Sequence, residues 1–223
     1  MSQNQATTTA LPDSPVSIYD RFTSLYDLMF RVNGYGLSIE RYLRETPLPL
    51  DSGARILDAG CGTGLLTLAL LRVLKRPASL TAVDLSGRSL QTARKAVRKQ
   101  KPDPRHRITF LQADALSLPF PEDSFDLVVT SGVLEYLPLD KGLGELARVI
   151  APGGHLLFLP VRPSPMSTVL ELMFRFKAHP PDEVEAHTRR LFRVIEHHSF
   201  HPIEPIGWTK TAVLAQKSLE SGV

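Results

Sequence analysis

Residues 56–64 read Ile56-Leu57-Asp58-Ala59-Gly60-Cys61-Gly62-Thr63-Gly64. Two apolar residues run into an aspartate, glycines follow at every second position, and the apolar stretch LLTLALLRVL begins at Leu65. The pattern is a buried strand, a glycine turn and a helix. Gly60 and Gly62 lack a Cβ, so the chain can turn tightly there and a ligand can approach the backbone. Two ligands suit such a turn: a dinucleotide, or a nucleoside-like molecule without phosphate.

Beyond the turn, strands and helices alternate. After the strand ARILDAG and the helix LLTLALLRVL come SLTAVDLS as strand, SLQTARKAVRKQ as helix, and RITFLQADA and SFDLVVTSG as strands. KGLGELARVI is then a helix, APGG (151–154) its exit turn, and HLLFLPV a strand. This order predicts parallel pairing and a sheet covered on both faces. Near-continuous apolar cores such as FDLVV and HLLFL fit doubly covered strands. At the end of the chain, DEVEAHTRRLFRVIEHHS (182–199) is predicted as one helix. HPIEPIGW (201–208) and TKTAVLAQK (209–217) follow as two strands whose short connection makes them antiparallel. The expected fold is α/β, mostly parallel, with an antiparallel strand at the C-terminal edge.

In such sheets the ligand sits outside the carboxyl ends of the strands. Asp58, Asp84, Asp114 and the Thr130-Ser131 pair each end a strand. Singly, each has an ordinary structural explanation as a turn or strand-end residue. Together, in order, they define one crevice. Asp84 lies about 20 residues beyond the glycine turn, where a carboxylate can accept bonds from ribose hydroxyls. The dinucleotide fingerprint G-x-G-x-x-G would require glycine at position 65, which is Leu65. A carboxylate at Asp58 would repel a pyrophosphate and suits a cation. Asp114 can accept a bond from an adenine amino group. The residues therefore describe an adenosine carrying a cationic, amino-acid-like extension.

ILDAGCGTG, AVDLS, QADALSLPFPEDSFDLVVTSGVLEYLP and LARVIAPGGHLLFL, in that order, resemble the class I S-adenosylmethionine-dependent methyltransferases over about residues 18–217. Within that class the chain is similar to the branch holding the ubiquinone/menaquinone C-methyltransferases and the bacterial phosphatidylethanolamine N-methyltransferases. Tyr19-Asp20 and Tyr26-Asp27 add to that likeness. The resemblance implies a Rossmann-like sheet of seven strands, the last antiparallel, with S-adenosylmethionine as cofactor and S-adenosylhomocysteine as product. By the same resemblance Asp58, Gly60, Gly62 and Thr63 hold the methionine part. Asp84 takes the ribose, Leu85 packs on the adenine, and Asp114 and Ala115 meet its edge. Ser131 lies near the sulfonium, and Tyr19 or Tyr26 closes over the cofactor.

No residue stands out as a general base; Glu135, Tyr136 and His187 are weak catalytic candidates, with His197, His198 and His201 eligible by chemistry alone. Cys61 is the single cysteine, which excludes an intrachain disulfide and a cysteine-built metal site, and it reads as a small loop residue. No metal is expected. The chain has 223 residues, 43% of them hydrophobic, enough for one sizeable domain. A net charge of +3 is too mild to call for nucleic acid. Neither a signal peptide nor a membrane-spanning apolar stretch is read, so a cytoplasmic protein is expected, with peripheral membrane contact as an alternative. Residues 1–16 read as a flexible tail, 17–50 as a helical cap containing an amphipathic helix from Tyr19 to Phe30, and 51–223 as the methyltransferase domain. An apolar inserted helix near 163–180 reads as a lid over an apolar acceptor pocket or as a membrane-facing element. The basic run RKAVRKQKPDPRHR (94–107) reads as a solvated surface, with anionic lipid headgroups as the alternative partner. The expected acceptor is small and hydrophobic or lipid-like, a quinol ring, a phospholipid amine or a natural product; the alternatives are a nucleotide-dependent oxidoreductase of Rossmann type and a non-catalytic cofactor-binding protein, and the protein is expected to be a monomer or homodimer.

Overall fold

The computed structural model describes residues 34–219 apart from Pro47. Seven strands form one sheet: β1 (Ala54–Ala59), β2 (Ala78–Asp84), β3 (Arg107–Gln112), β4 (Phe125–Ser131), β5 (Ile150–Leu159), β6 (Phe192–Ser199) and β7 (Thr211–Lys217). Their spatial order is β3-β2-β1-β4-β5-β7-β6. The first five pair in parallel, and β7 lies antiparallel to both β5 and β6. Among the described residues six helices accompany them: α1 (Tyr35–Glu45), α2 (Leu65–Val73), α3 (Gly87–Gln100), α4 (Leu139–Val149), α5 (Pro165–Phe174) and α6 (Pro181–Leu191).

Strand periodicity divides the core into two layers. Ile56, Leu80, Leu127 and Leu157 face one side and pack with Ile39, Leu70, Leu90 and Phe174 from α1, α2, α3 and α5. Leu57, Val83, Val128 and Leu156 face the other side and meet Leu143 and Leu146 of α4 and Val184 of α6. The central strands β1, β4 and β5 are thus apolar on both faces, which is why their sequences hold continuous apolar runs rather than an alternation. The order reverses at β1 and β4, and the crevice opens there, at the carboxyl ends of the parallel strands.

Three local expectations are corrected. The helix after Asp182 stops at Leu191, and 192–199 is a strand whose burial alternates residue by residue against β7. HPIEPIGW is no strand; Pro205–Trp208 forms a short 3-10 turn, and Pro202 and Pro205 have no N–H to give to a ladder. APGG belongs to the start of β5, where the pairing with β4 shifts register between Phe125 and Leu127. The inserted helix is present as α5, opened by a reciprocal cap in which Ser167 N donates to Ser164 Oγ and Ser164 N to Ser167 Oγ. The tail, the Tyr19–Phe30 helix, Tyr19 and Tyr26 lie outside the described residues. Among the described residues no helix is long and apolar enough to cross a membrane.

Candidate active site

The loop after β1 is held from behind by β2. Gly60 N and Cys61 N both donate to Val83 O, at 2.9 and 2.8 Å. Gly62 N donates to Asp84 Oδ2 at 2.8 Å, and Ser86 N donates to Asp84 Oδ1, also at 2.8 Å. Asp84 thereby joins the glycine loop to the entry of α3. Gly60 has φ +73°, and a Cβ there would lie 2.6 Å from Val133 Cγ2. Gly64 has φ +90°, and its Cβ would meet Ala93 Cβ at 3.1 Å. The closeness that Gly64 permits is therefore between α2 and α3, not between helix and strand.

Asp58 sits beneath this loop and is 1% exposed. Thr67 Oγ1, from α2, donates to Asp58 Oδ2. Asp58 Oδ1 is buried and has no hydrogen-bond partner. Burial lifts the carboxyl from an ordinary 3.8 to about 7; the Thr67 hydroxyl opposes the rise and the Asp84 charge adds to it. A buried acceptor without a donor costs about 1–3 kcal/mol. A cationic group entering the cleft would satisfy Oδ1 and restore ionisation, so the site fits the amino-acid end of a cationic adenosine derivative. Cys61, next to it, is buried, and burial holds its thiol well above the usual value. It remains a neutral filler of the loop.

The cleft has a volume of about 350 Å³, within the range of small-molecule sites. Asp58, Gly60, Gly62, Thr63, Asp84, Leu85, Asp114, Ala115 and Ser131 all line it, and so does Tyr136. Leu85 is 47% exposed, an apolar side chain at the mouth suited to cover a flat ring. Asp114 uses Oδ1 to accept from Leu116 N and is exposed towards the cleft mouth. Burial, with the Glu135 charge, pushes the Tyr136 phenol up. Glu135 does not line the cleft. It is buried behind it, with Oε1 accepting from Val161 N at 2.6 Å. His187 is on α6 with Nδ1 2.9 Å from Glu183 O, away from the cleft. His197, His198 and His201 are not among the lining residues either; His198 packs against Tyr42 and Phe200 instead. Among the described residues no His, Cys, Asp and Glu cluster is placed to hold a metal ion.

Among the lining residues not singled out from sequence are Tyr35 and Ile39 of α1, and Lys210 just before β7. Tyr35 and Ile39 are four apart on one helix face, a signal that was present but pointed equally to plain core packing. Lys210 carries no local signal at all. The inserted helix α5 contributes no residue to the cleft; Leu170 and Phe174 face the core, while Leu172 is 85% exposed.

Residues 57–158 match the family model described as a methyltransferase domain. The chain is 35% identical to the demethylmenaquinone methyltransferase of Thermus thermophilus, over 66% of each chain. It is 36% identical to the ubiquinone/menaquinone biosynthesis C-methyltransferase of Syntrophotalea carbinolica, over 64% of this chain and 59% of that one. It thus spans less than two thirds of the length of these relatives. The cyclase SpnF has the same fold, with a TM-score of 0.72, 17% identity, and coverage of 93% of this chain and 98% of that one. A cyclase on this fold shows that the fold alone does not fix the reaction. The conclusion comes instead from the domain match over β1 to β5 together with the relatives of 35% and 36% identity: the chain belongs to the class I S-adenosylmethionine-dependent methyltransferase family.

Proposed function

We propose that the protein binds S-adenosylmethionine in the cleft and transfers its methyl group to a small, apolar acceptor such as a quinol ring or another lipid-like molecule. The observation that carries this reading is Asp58, a buried carboxylate with one unpartnered oxygen at the base of a phosphate-averse glycine loop. The cofactor supplies a methyl already activated by a positive sulfur. Asp58 would receive its amino group, the Gly60–Gly62 backbone its carboxylate end, and Asp84 its ribose. Leu85 and Ala115 would enclose the adenine, with Asp114 accepting from its amino group. Tyr35, Ile39, Leu65, Leu66 and Leu137 add apolar lining to the cleft. An apolar wall of this kind excludes water and favours a greasy acceptor. The protein's main contribution is then alignment, which can account for about 7–11 kcal/mol of a barrier. Both curated relatives named above are, by name, enzymes of quinone biosynthesis, which supports a ring acceptor. No partner beyond the small molecules is required, whether the protein is a monomer or a homodimer, and a nucleic acid has no role in this reading.

Titration calorimetry with S-adenosylhomocysteine, and separately with NADH, tests the donor site. The expected result is binding of the first and not the second; NADH binding alone would turn the reading to a nucleotide-dependent oxidoreductase. Incubation with methyl-labelled S-adenosylmethionine and a lipid or metabolite extract, followed by mass analysis of the labelled product, tests transfer. Binding without any labelled product would favour a non-catalytic cofactor-binding protein.

A further inference from the structure

The acceptor side of the cleft contains a charged group that the proposed donor chemistry does not use. Lys210 lines the cleft and is 3% exposed. Its Nζ donates to Leu159 O at 3.0 Å, and among the described residues that is its one hydrogen-bond acceptor. An ammonium has three N–H donors, so two are left. Burial holds the Lys210 ammonium below the usual lysine range, and the buried Glu135 opposes that fall. No direct hydrogen bond joins the two: Glu135 spends Oε1 on Val161 N, and its Oε2 is buried with no partner. The arrangement is therefore a buried amine and a buried carboxyl on neighbouring elements, both short of hydrogen-bond partners. Buried charges are costly, and a pair left incomplete at a cleft is where function is to be sought.

A purely structural explanation is weak. The backbone already fastens this corner: Val161 and Lys210 form an isolated antiparallel bridge, Arg162 N donates to Thr209 O, and Lys210 N donates to Ile206 O. A methionine or leucine would fill the same space in the cleft lining without the desolvation penalty.

From this placement, and resting on the donor assignment above, we infer that Lys210 is the acceptor-binding residue of this site and that it receives an acidic oxygen, a phenolate or enolate, on an otherwise apolar molecule. Glu135 is a positioning residue that keeps Lys210 charged. The same ammonium repels a protonated amine, so amine acceptors are disfavoured. The chemistry balances simply. The acceptor's hydroxyl proton leaves to water, and the resulting oxyanion pairs with Lys210. The acceptor oxygen, or the ring carbon conjugated to it, then supplies the electron pair for the new bond to the methyl carbon. The S–C bond breaks with its pair left on sulfur. When carbon is the nucleophile, the ring proton it displaces also goes to water.

The test uses the full chain saturated with S-adenosylhomocysteine and the probe 4-nitrophenol, whose phenolate has its own visible absorption band. At a pH below the free probe's midpoint, the wild type should bind it and raise the phenolate band. Lys210→Met should bind the probe at least tenfold more weakly and lose the band, with S-adenosylhomocysteine affinity unchanged. Lys210→Arg should retain part of the band, and Glu135→Gln, which keeps an acceptor for Val161 N, should weaken it. Decylamine should not compete with the probe. Equal probe affinity and an equal band in wild type and Lys210→Met would overturn the inference, as would preferential binding of decylamine. If Lys210→Met does not fold, an unaltered band in both Lys210→Arg and Glu135→Gln overturns it equally. A wild type that binds no S-adenosylhomocysteine would instead remove the donor assignment, so the two failures are separable.

Discussion

Replacing Asp58 by asparagine should make the ligand-free protein more stable and the cofactor complex weaker. The folded-state carboxyl titrates at about 7 against an ordinary 3.8. The folded chain therefore holds this proton more tightly than the unfolded chain. Asp58's stabilising contribution is full below about pH 4 and is lost as pH rises towards about 7. At about 1.36 kcal/mol per pH unit, that displacement corresponds to roughly 4 kcal/mol of lost stability at neutral pH. Asparagine is neutral throughout, so it avoids the loss. Its amide can still accept from Thr67 Oγ1, but it places an N–H₂ where Oδ1 lacked a donor, which costs about 1–3 kcal/mol. The net gain at pH 7.5 is roughly 1–3 kcal/mol, or about 2–10 °C in Tm for a chain of this length. At pH 4 the linkage gain falls below about 1 kcal/mol while the N–H₂ penalty of about 1–3 kcal/mol remains, so the variant should be no more stable than wild type there. Binding should change in the opposite direction. A charge-assisted hydrogen bond is worth about 1.5–3 kcal/mol, so S-adenosylhomocysteine affinity should fall roughly 10- to 150-fold. Thermal unfolding at pH 4 and 7.5, with calorimetry at pH 7.5, reads both effects. A variant with unchanged affinity, or one less stable than wild type at pH 7.5 without ligand, would refute the reasoning.

Thr67→Val removes the donor that steadies the Asp58 anion; S-adenosylhomocysteine affinity plotted against pH should shift to higher pH by about one unit, and an unmoved curve would count against the pairing. Asp84→Ala removes a ribose acceptor and also releases Gly62 N and Ser86 N; calorimetry should show a loss of ~10-fold or more, and full affinity would contradict both roles. Gly60→Ala forces a Cβ into Val133 at φ +73°; we expect about 1–3 kcal/mol of destabilisation in denaturant titration, with weakened cofactor binding, and wild-type stability would show that the loop can relax.

The donor half of the cleft was legible in the sequence because its determinants are local. Glycine spacing, a strand-end acid and an apolar run all fall within a few residues of Asp58, and the same holds at Asp84 and Asp114. The acceptor half was not legible. Lys210 reaches the cleft only because β7 lies against β5, and nothing near it in sequence records that pairing. The boundary at Phe192 was missed for a related reason. The run 192–199 alternates in burial, but it continues a helix without a break residue, and Arg193, Glu196 and His197 suit a solvated helix face as well as an edge strand. His187, eligible by chemistry, is distant because α6 packs on the face of the sheet rather than at its carboxyl ends.

The position of β7 also bears on how the chain is made. Strands β1 to β5 follow one another along the chain and can pair as they emerge, whereas the outer edge of β5 waits for residues 211–217. Until then His155–Leu159, with four consecutive fully buried apolar residues in the finished sheet, presents an unpaired edge. An edge of that kind is a template for association with other chains. Synthesis thus passes through a stage with a formed cofactor half and an open seam, and the strand that closes the seam is joined directly to Lys210. The apolar edge of β5 is covered and Lys210 is brought to the cleft in the same late event.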